Sequence, residues 1–312
     1  MMNEKTTKQQ KSTAVQTTGH AWDGDLQEFN NPLPRWWLWS FYATVVFALI
    51  YWLLYPSWPW RDSWLHGLKT VTFTVGKEKV TTDWNTRAVL IQELEEGRSA
   101  TVQREFMEKI AKVDFGEIQK NPEMLAFARS VGKGLFGTNC AACHGRGGQG
   151  VVGLYPNLTD DDWLWGGSME KIQETLTNGR NGFMPAFGET LNPQQLDDVA
   201  TYVLTLSAEA PQSEASDRGR ELFQGYGGGC YACHGKDGKG QQSLGSANLT
   251  DRIWTIANVP EKQTLEDKKA AVKQVIANGV QNRRVMPAWK DRMSPNEIKL
   301  MAVYLHQLGG GQ

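Results

Sequence analysis

The sequence predicts an all-α chain with one N-terminal transmembrane helix, followed by two tandem copies of a small helical domain. Two observations carry that expectation. Residues 36 to 55 are 20 consecutive positions without a charged side chain, and from about residue 121 onward the chain repeats itself. Composition agrees, since 312 residues that are 40% hydrophobic, with 33 Lys+Arg against 34 Asp+Glu, are too apolar and too balanced for a disordered tail or a nucleic-acid-binding one. No nucleic-acid partner is expected. At roughly 100 to 200 residues per domain, the length suits two compact units and something extra.

Residues 1 to 35 are a polar tail, and the character changes abruptly at Trp36. Twenty helical residues reach about 30 Å at a rise of 1.5 Å each, the thickness of a bilayer's hydrocarbon core. Of 13 Trp, seven fall between residues 36 and 64. Trp36, Trp37 and Trp39 at one end, and Tyr51, Trp52, Tyr55 and Trp58 at the other, form the aromatic belts of a helix meeting headgroups. A buried core helix needs neither the length nor the belts. The polar tail ahead of it, with no small-residue cleavage pattern behind, argues against a signal peptide. An uncleaved anchor is expected over residues 36 to 56, contacting the membrane through 36 to 55. Arg35 on one side against Arg61 and Lys69 on the other does not fix its orientation.

Residues 57 to 120 read as a connector, partly helical. The β-branched run from Val71 to Val75 suits a short strand or extended linker, and apolar spacing predicts helix from about Trp84 to Lys112 with a break near Gly97. Asn121-Pro122 is an N-cap and first-turn pair for the next helix.

The repeat is then explicit. Gly132-Lys133-Gly134-Leu135-Phe136 recurs as Gly219-Arg220-Glu221-Leu222-Phe223, and Asn157 to Asp160 recurs as Asn248 to Asp251. Trp163 answers Trp254, Met184-Pro185-Ala186-Phe187 answers Met286-Pro287-Ala288-Trp289, and Pro193 with Tyr202 answers Pro295 with Tyr304. The expected domains are 121 to 208 and 217 to 312, joined by a linker at 209 to 216. The second copy carries an insertion of 11 residues near Pro260 to Lys269.

The four cysteines identify the chemistry. They form two motifs, Cys140-Ala141-Ala142-Cys143-His144 and Cys230-Tyr231-Ala232-Cys233-His234. C-x-x-C-H is the attachment signature of c-type haem: both thiols bond the porphyrin and the histidine takes one axial position on the iron. Two covalently bound haem c groups are expected. Zinc is disfavoured because the pairs lie 86 residues apart rather than the roughly 12 to 20 of a zinc module. A thioredoxin-like pair is disfavoured by the glycine-rich loop that follows, Gly145 to Gly150.

The sixth iron ligand decides between electron transfer and oxygen chemistry. Met184 and Met286 each sit in a Met-Pro loop before a last helix, where class I cytochrome c domains keep an axial Met. The sites expected are therefore Cys140, Cys143, Cys230 and Cys233 for attachment, and His144, Met184, His234 and Met286 for the metal. Spacing leaves open whether each Met serves its own copy or the other. His306 reads as a surface residue, and Trp163 and Trp254 as pocket walls.

The chain resembles the membrane-anchored dihaem subunit (CcoP, subunit III) of cbb3-type cytochrome c oxidases. The resemblance rests on Thr18-Gly19-His20-Ala21-Trp22-Asp23-Gly24, on Asn30-Asn31-Pro32-Leu33-Pro34-Arg35-Trp36-Trp37, on the single anchor, and on two haem domains ending in Leu308-Gly309-Gly310-Gly311. It implies a relay from donor cytochrome c through two haems to the monohaem and haem-copper subunits. Oxygen reduction and proton pumping then lie in those other subunits, so this chain is an electron-transfer subunit and not the catalytic one. Covalent haem attachment outside the bacterial inner membrane implies periplasmic haem domains and a cytoplasmic tail. A free-standing membrane-bound dihaem carrier and a dihaem peroxidase are the alternatives. The peroxidase would need an open iron position, against which the two Met-Pro loops argue.

Charge adds one more expectation. Residues 130 to 208 carry 4 basic and 8 acidic side chains, and residues 217 to 312 carry 14 and 9. The near-neutral total thus hides a net −4 domain and a net +5 domain, so Asp160 to Asp162 would attract a basic donor to the first and an acidic donor would favour the second.

Overall fold

The computed structural model describes residues 16 to 309 except 226, 282 and 283. Residues 1 to 15 of the tail, and Gly310 and Gly311 of the C-terminal run, lie outside the described residues. The chain divides into two compact units, one up to Val102 and one from Gln103 onward.

The first unit opens with an antiparallel hairpin, β1 (Thr17–Trp22) and β2 (Leu26–Phe29), turning through Asp23 (φ 52°) and Gly24 (φ 89°). Helix α1 (Arg35–Leu54) follows, starting just after Pro34 and ending before Pro56, with no buried side chain. Past Arg35 at its first position, that unburied, uncharged surface is what lipid requires. A two-residue hairpin, β3 (Pro59–Trp60) with β4 (Ser63–Trp64), leads to a longer one, β5 (Thr70–Val75) with β6 (Glu78–Asp83). The β-branched run is thus a strand, whose inward residues Val71 and Phe73 pack on Ala88 of α2 (Thr86–Glu96). Asn85 caps α2 by accepting from the Ala88 amide (2.8 Å). Tyr55 closes the end of α1, edge-on to Trp84 at 4.9 Å and accepting a hydrogen bond from Lys69 (2.8 Å). These hairpins are the departure from the all-α expectation.

Gly97 separates α2 from α3 (Arg98–Lys112), at the expected break. The second unit continues with α4 (Phe115–Lys120) and α5 (Pro122–Asn139), the latter capped by Asn121, which accepts from the amides of Glu123 and Met124 (3.0 and 3.1 Å). The first C-x-x-C-H motif forms the single turn α6 (Ala141–His144). Then come α7 (Met169–Asn178), strand β7 (Arg180–Asn181) and α8 (Pro193–Leu206). The second copy repeats the order: α9 (Glu214–Gln224), α10 (Tyr231–His234), α11 (Leu265–Asn278), β8 (Val285–Met286) and α12 (Pro295–Leu308). The insertion appears as a longer helix, 14 residues in α11 against 10 in α7, with an extended approach to it.

The packing crosses between the copies. Met293, Ile298, Met301, Ala302 and Leu305 of the last segment share one core with Phe136 of α5 and Ile172 and Leu176 of α7. Leu196, Val199, Ala200, Val203 and Leu204 of α8 share another with Val272 and Ile276 of α11. Gly132 lets Tyr304 close over α5, and Gly219 lets Tyr202 close over α9, with no room for a Cβ at either. The Phe136–Tyr304 and Tyr202–Phe223 ring pairs, at 5.7 and 5.3 Å, repeat each other. Each copy's last helix therefore lies on the first helix of the other copy. The physical reason is local: the few residues between Leu206 and Glu214 let α8 fold back on α9 as a helical hairpin. Asp198, with its carboxylate buried, locks the pair through two bonds from Arg218 (2.9 and 2.8 Å).

Candidate functional site

Two clefts result, and each takes its residues from both copies. The first is lined by Cys140, Cys143 and His144 together with Met286 and Pro287, beside Phe136, Trp163, Ile172, Leu176 and Leu305. The second is lined by Cys230, Cys233 and His234 together with Met184 and Pro185, beside Val203, Phe223, Trp254, Val272 and Ile276. Including their open mouths they hold about 1250 and 1300 Å³ of free space. The order left open by spacing is thus a crossed one at the level of the cleft walls.

The crossing is built into the backbone. β7 and β8 pair antiparallel, Arg180 with Met286 and Asn181 with Val285, and a further bridge joins Met184 to Val280. Each Met loop passes over the C-terminal glycine of the other copy's helix. Gly279 (φ 65°) leaves room for the Met184 carbonyl where a Cβ would stand 2.6 Å away, and Gly179 (φ 71°) does the same for Met286.

The histidines are oriented alike. Nδ1–H of His144 donates to the Pro156 carbonyl (3.0 Å), and Nδ1–H of His234 donates to the Ala247 carbonyl (2.9 Å). A carbonyl only accepts, so the proton sits on Nδ1 and Nε2 keeps its lone pair for a metal. Burial lowers both histidines' pKa values, partly offset by those same bonds. Both rings are thereby kept neutral. Burial pushes the thiols of Cys140 and Cys230 up to about 11, so both are neutral thiols rather than thiolate nucleophiles at neutral pH.

The walls fit a haem c. They are mainly apolar, two thiols and one free imidazole nitrogen face each cleft, and the indole N–H groups of Trp163 and Trp254 are buried with no hydrogen-bond partner among the described residues. Such orphaned donors are costly unless something in the cleft accepts from them, and a haem carboxylate would. Arg180 and Arg284 add cations that the sequence reading passed over. Arg180 is paired with Glu174 (3.1 Å) and stacked on Trp165 (4.7 Å). No local signal pointed to either arginine, because the segments that bring them to the clefts pair across about a hundred residues. His306 lines neither cleft and is half-buried, with Nδ1 unpartnered among the described residues, rather than a surface residue.

The expected charge dipole does not survive the exchange. Regrouped by cleft, residues 121 to 180 with 285 to 309 carry eight basic and eight acidic side chains, and residues 181 to 284 carry eleven and twelve. Net −4 and +5 become 0 and −1. Within the acidic run only Asp161 is exposed. Burial, with the charges of Asp251 and Asp160, pushes Asp162 up to about 6.

Fold and clefts together define a c-type cytochrome built from two interlocked copies and preceded by one apolar helix. Residues 14–62 match the family described as the N-terminal domain of cytochrome oxidase-cbb3, FixP, and residues 128–203 and 214–305 match cytochrome c oxidase, cbb3-type, subunit III. The chain is 44% identical over 308 residues to the cbb3-type cytochrome c oxidase subunit FixP of Azorhizobium caulinodans, covering 95% of this chain and 94% of that one. It is 38% identical over 322 residues to the subunit CcoP of Cereibacter sphaeroides, covering all of both chains, and 39% identical over 295 residues to CcoP of Rubrivivax gelatinosus (94% and 84%). The chain belongs to the FixP/CcoP family, the cytochrome c subunit III of cbb3-type cytochrome c oxidases.

Proposed function

We propose that the chain carries two haems c and relays electrons from a donor cytochrome c to the monohaem and haem-copper subunits of its oxidase. The observation that carries this reading is the composition of the two clefts: each combines a C-x-x-C-H turn, an imidazole with Nε2 free, and a methionine supplied by the other copy. Bound haem supplies a one-electron Fe(III)/Fe(II) couple. Cys140 and Cys143, and Cys230 and Cys233, would anchor the porphyrins, while His144 with Met286, and His234 with Met184, would hold the irons. Pro156 and Ala247 fix the imidazole tautomers. A methionine in each cleft closes the position that a peroxidase would leave open.

α1 holds the chain in the bacterial inner membrane as a single span, with both clefts on the periplasmic side where haem is attached. The exposed hairpin β1–β2, inside the segment that matches the family's N-terminal domain, is read as a contact with the oxidase. Haem content of the purified chain tests the count, and replacement of Met184 or Met286 by Leu tests the ligands. Two haems per chain, and loss of one Fe–S charge-transfer band in each variant, are expected. One haem per chain, or both bands intact in both variants, would overturn the reading.

A further inference from the structure

The two clefts share three wall residues, Gly182, Gly245 and Arg284. Among them only Arg284 carries a charge. Its position follows from the repeat. Met184 and Met286 are equivalent, so Gly182 and Arg284, each two residues earlier, are equivalent as well. Continuing the β7–β8 register past Asn181 and Val285 brings these same two residues opposite one another, and the Gly182 amide donates to the Arg284 carbonyl at 3.0 Å. An antiparallel pair made of two equivalent residues lies on the pseudo-twofold axis relating the copies. A group on that axis belongs equally to both clefts.

The axis is crowded. A Cβ on Gly182 would stand 3.3 Å from Cβ of Arg284, slightly tighter than ordinary van der Waals contact, and 3.6 Å from its Cδ. Glycine in one copy thus makes space for arginine in the other. The guanidinium is half-buried, and among the described residues it forms no ion pair; the one charge noted as acting on it is Asp162. Holding a cation half out of water without an ion pair is unfavourable, so its place in the shared wall favours a further anion. Each haem c brings two carboxylates. The first cleft has a second lining cation in Arg180, but among the described residues Arg284 is the one lining cation of the second.

Building on the two-haem reading, we propose that Arg284 is a shared carboxylate-binding residue, whose guanidinium meets the propionate edges of both haems and raises the reduction potentials of both. A positive charge beside an iron centre disfavours the ferric state, which carries one more positive charge than the ferrous. Removing it therefore lowers the affinity of both haems for an electron. At a separation of several ångström and an effective dielectric of about 20, the interaction is large enough for roughly a tenfold change in each equilibrium, which for one electron is about 59 mV. Arg180 borders one cleft alone, so it acts on one haem.

The test is spectroelectrochemical titration of the full-length chain carrying both haems, for wild type, Arg284→Gln, Arg284→Lys and Arg180→Gln. Haem content and the Fe–S charge-transfer bands are recorded first. Loss of those in the wild type would refute the two-haem reading, whereas their retention in Arg284→Gln isolates the role of the charge. The expected result is a downward shift of both Nernst components by about tenfold in Arg284→Gln, of both by a smaller amount in Arg284→Lys, and of one component only in Arg180→Gln. A shift of a single component in Arg284→Gln, or of neither, overturns the proposal. If Arg284→Gln fails to hold haem, Arg284→Lys decides: its shorter side chain moves the charge off the axis, so both components must shift, and movement of one or none counts against sharing.

Discussion

Replacing Met301 by Ala should weaken the half of the molecule that holds Cys140, although Met301 belongs to the second copy. Its side chain is fully buried in the core formed with Phe136, Ile172 and Leu176. Truncation deletes three heavy atoms and leaves a cavity, a change that costs about 2 to 5 kcal/mol when the site relaxes poorly. At about 1.4 kcal/mol per factor of ten, local opening becomes roughly 30-fold or more easier. Hydrogen exchange followed by mass spectrometry on the haem-loaded chain reads that opening helix by helix. Protection should fall in α5 and α7 and stay near wild type in α9 and α11. Leu204→Ala, equally buried but packed with Val272 and Ile276, should do the reverse. Loss of protection in α9 and α11 on Met301→Ala, with α5 unaffected, would refute the exchanged packing.

Three further outcomes follow from particular contacts. Gly279→Ala places a Cβ 2.6 Å from the Met184 carbonyl at a left-handed φ of 65°; with strain of about 1 to 2 kcal/mol from the backbone alone, it should weaken the Fe–S band of the haem at Cys230, seen by absorbance. Arg218→Ala strips two hydrogen bonds from the buried Asp198 carboxylate, leaving the one from Gln194 (3.0 Å). A melting curve should show a loss of about 2 to 3 kcal/mol, at or below the low end for breaking a buried pair because Arg218 is half-exposed, and Asp198→Asn in that background should recover part of it. Deleting the hairpin from Thr17 to Phe29 should leave haem content unchanged but reduce co-purification with the oxidase; undiminished co-purification would remove the hairpin as a contact.

The local features were legible because local chemistry dictates them. The uncharged run at 36 to 55, the Asn121-Pro122 helix start, the break at Gly97 and the strand at Val71 to Val75 all stand where their residues place them. The β1–β2 hairpin had a readable signal in Asp23-Gly24, a turn pair between alternating segments, which the all-α reading passed over. The exchange of helices and Met loops had none. Apolar spacing says which face of α8 or α12 is buried, not against which copy, and Cys-to-Met separation is the same for either arrangement. Domain charges counted along the sequence misled for the same reason, since the fold reassigns Lys290, Arg292 and Lys299 to the side that holds Asp160 to Asp162. Arg284 could not be singled out until β7 and β8 were seen to pair.

The crossed supply of ligands is the central claim, and a chain limited to one haem tests it most directly. With Cys140 and Cys143 both replaced by Ala, the remaining haem is the one at Cys230, Cys233 and His234. In that background Met184→Leu should abolish the Fe–S charge-transfer band of the ferric protein and Met286→Leu should leave it in place. A band that survives Met184→Leu and disappears with Met286→Leu would contradict the account.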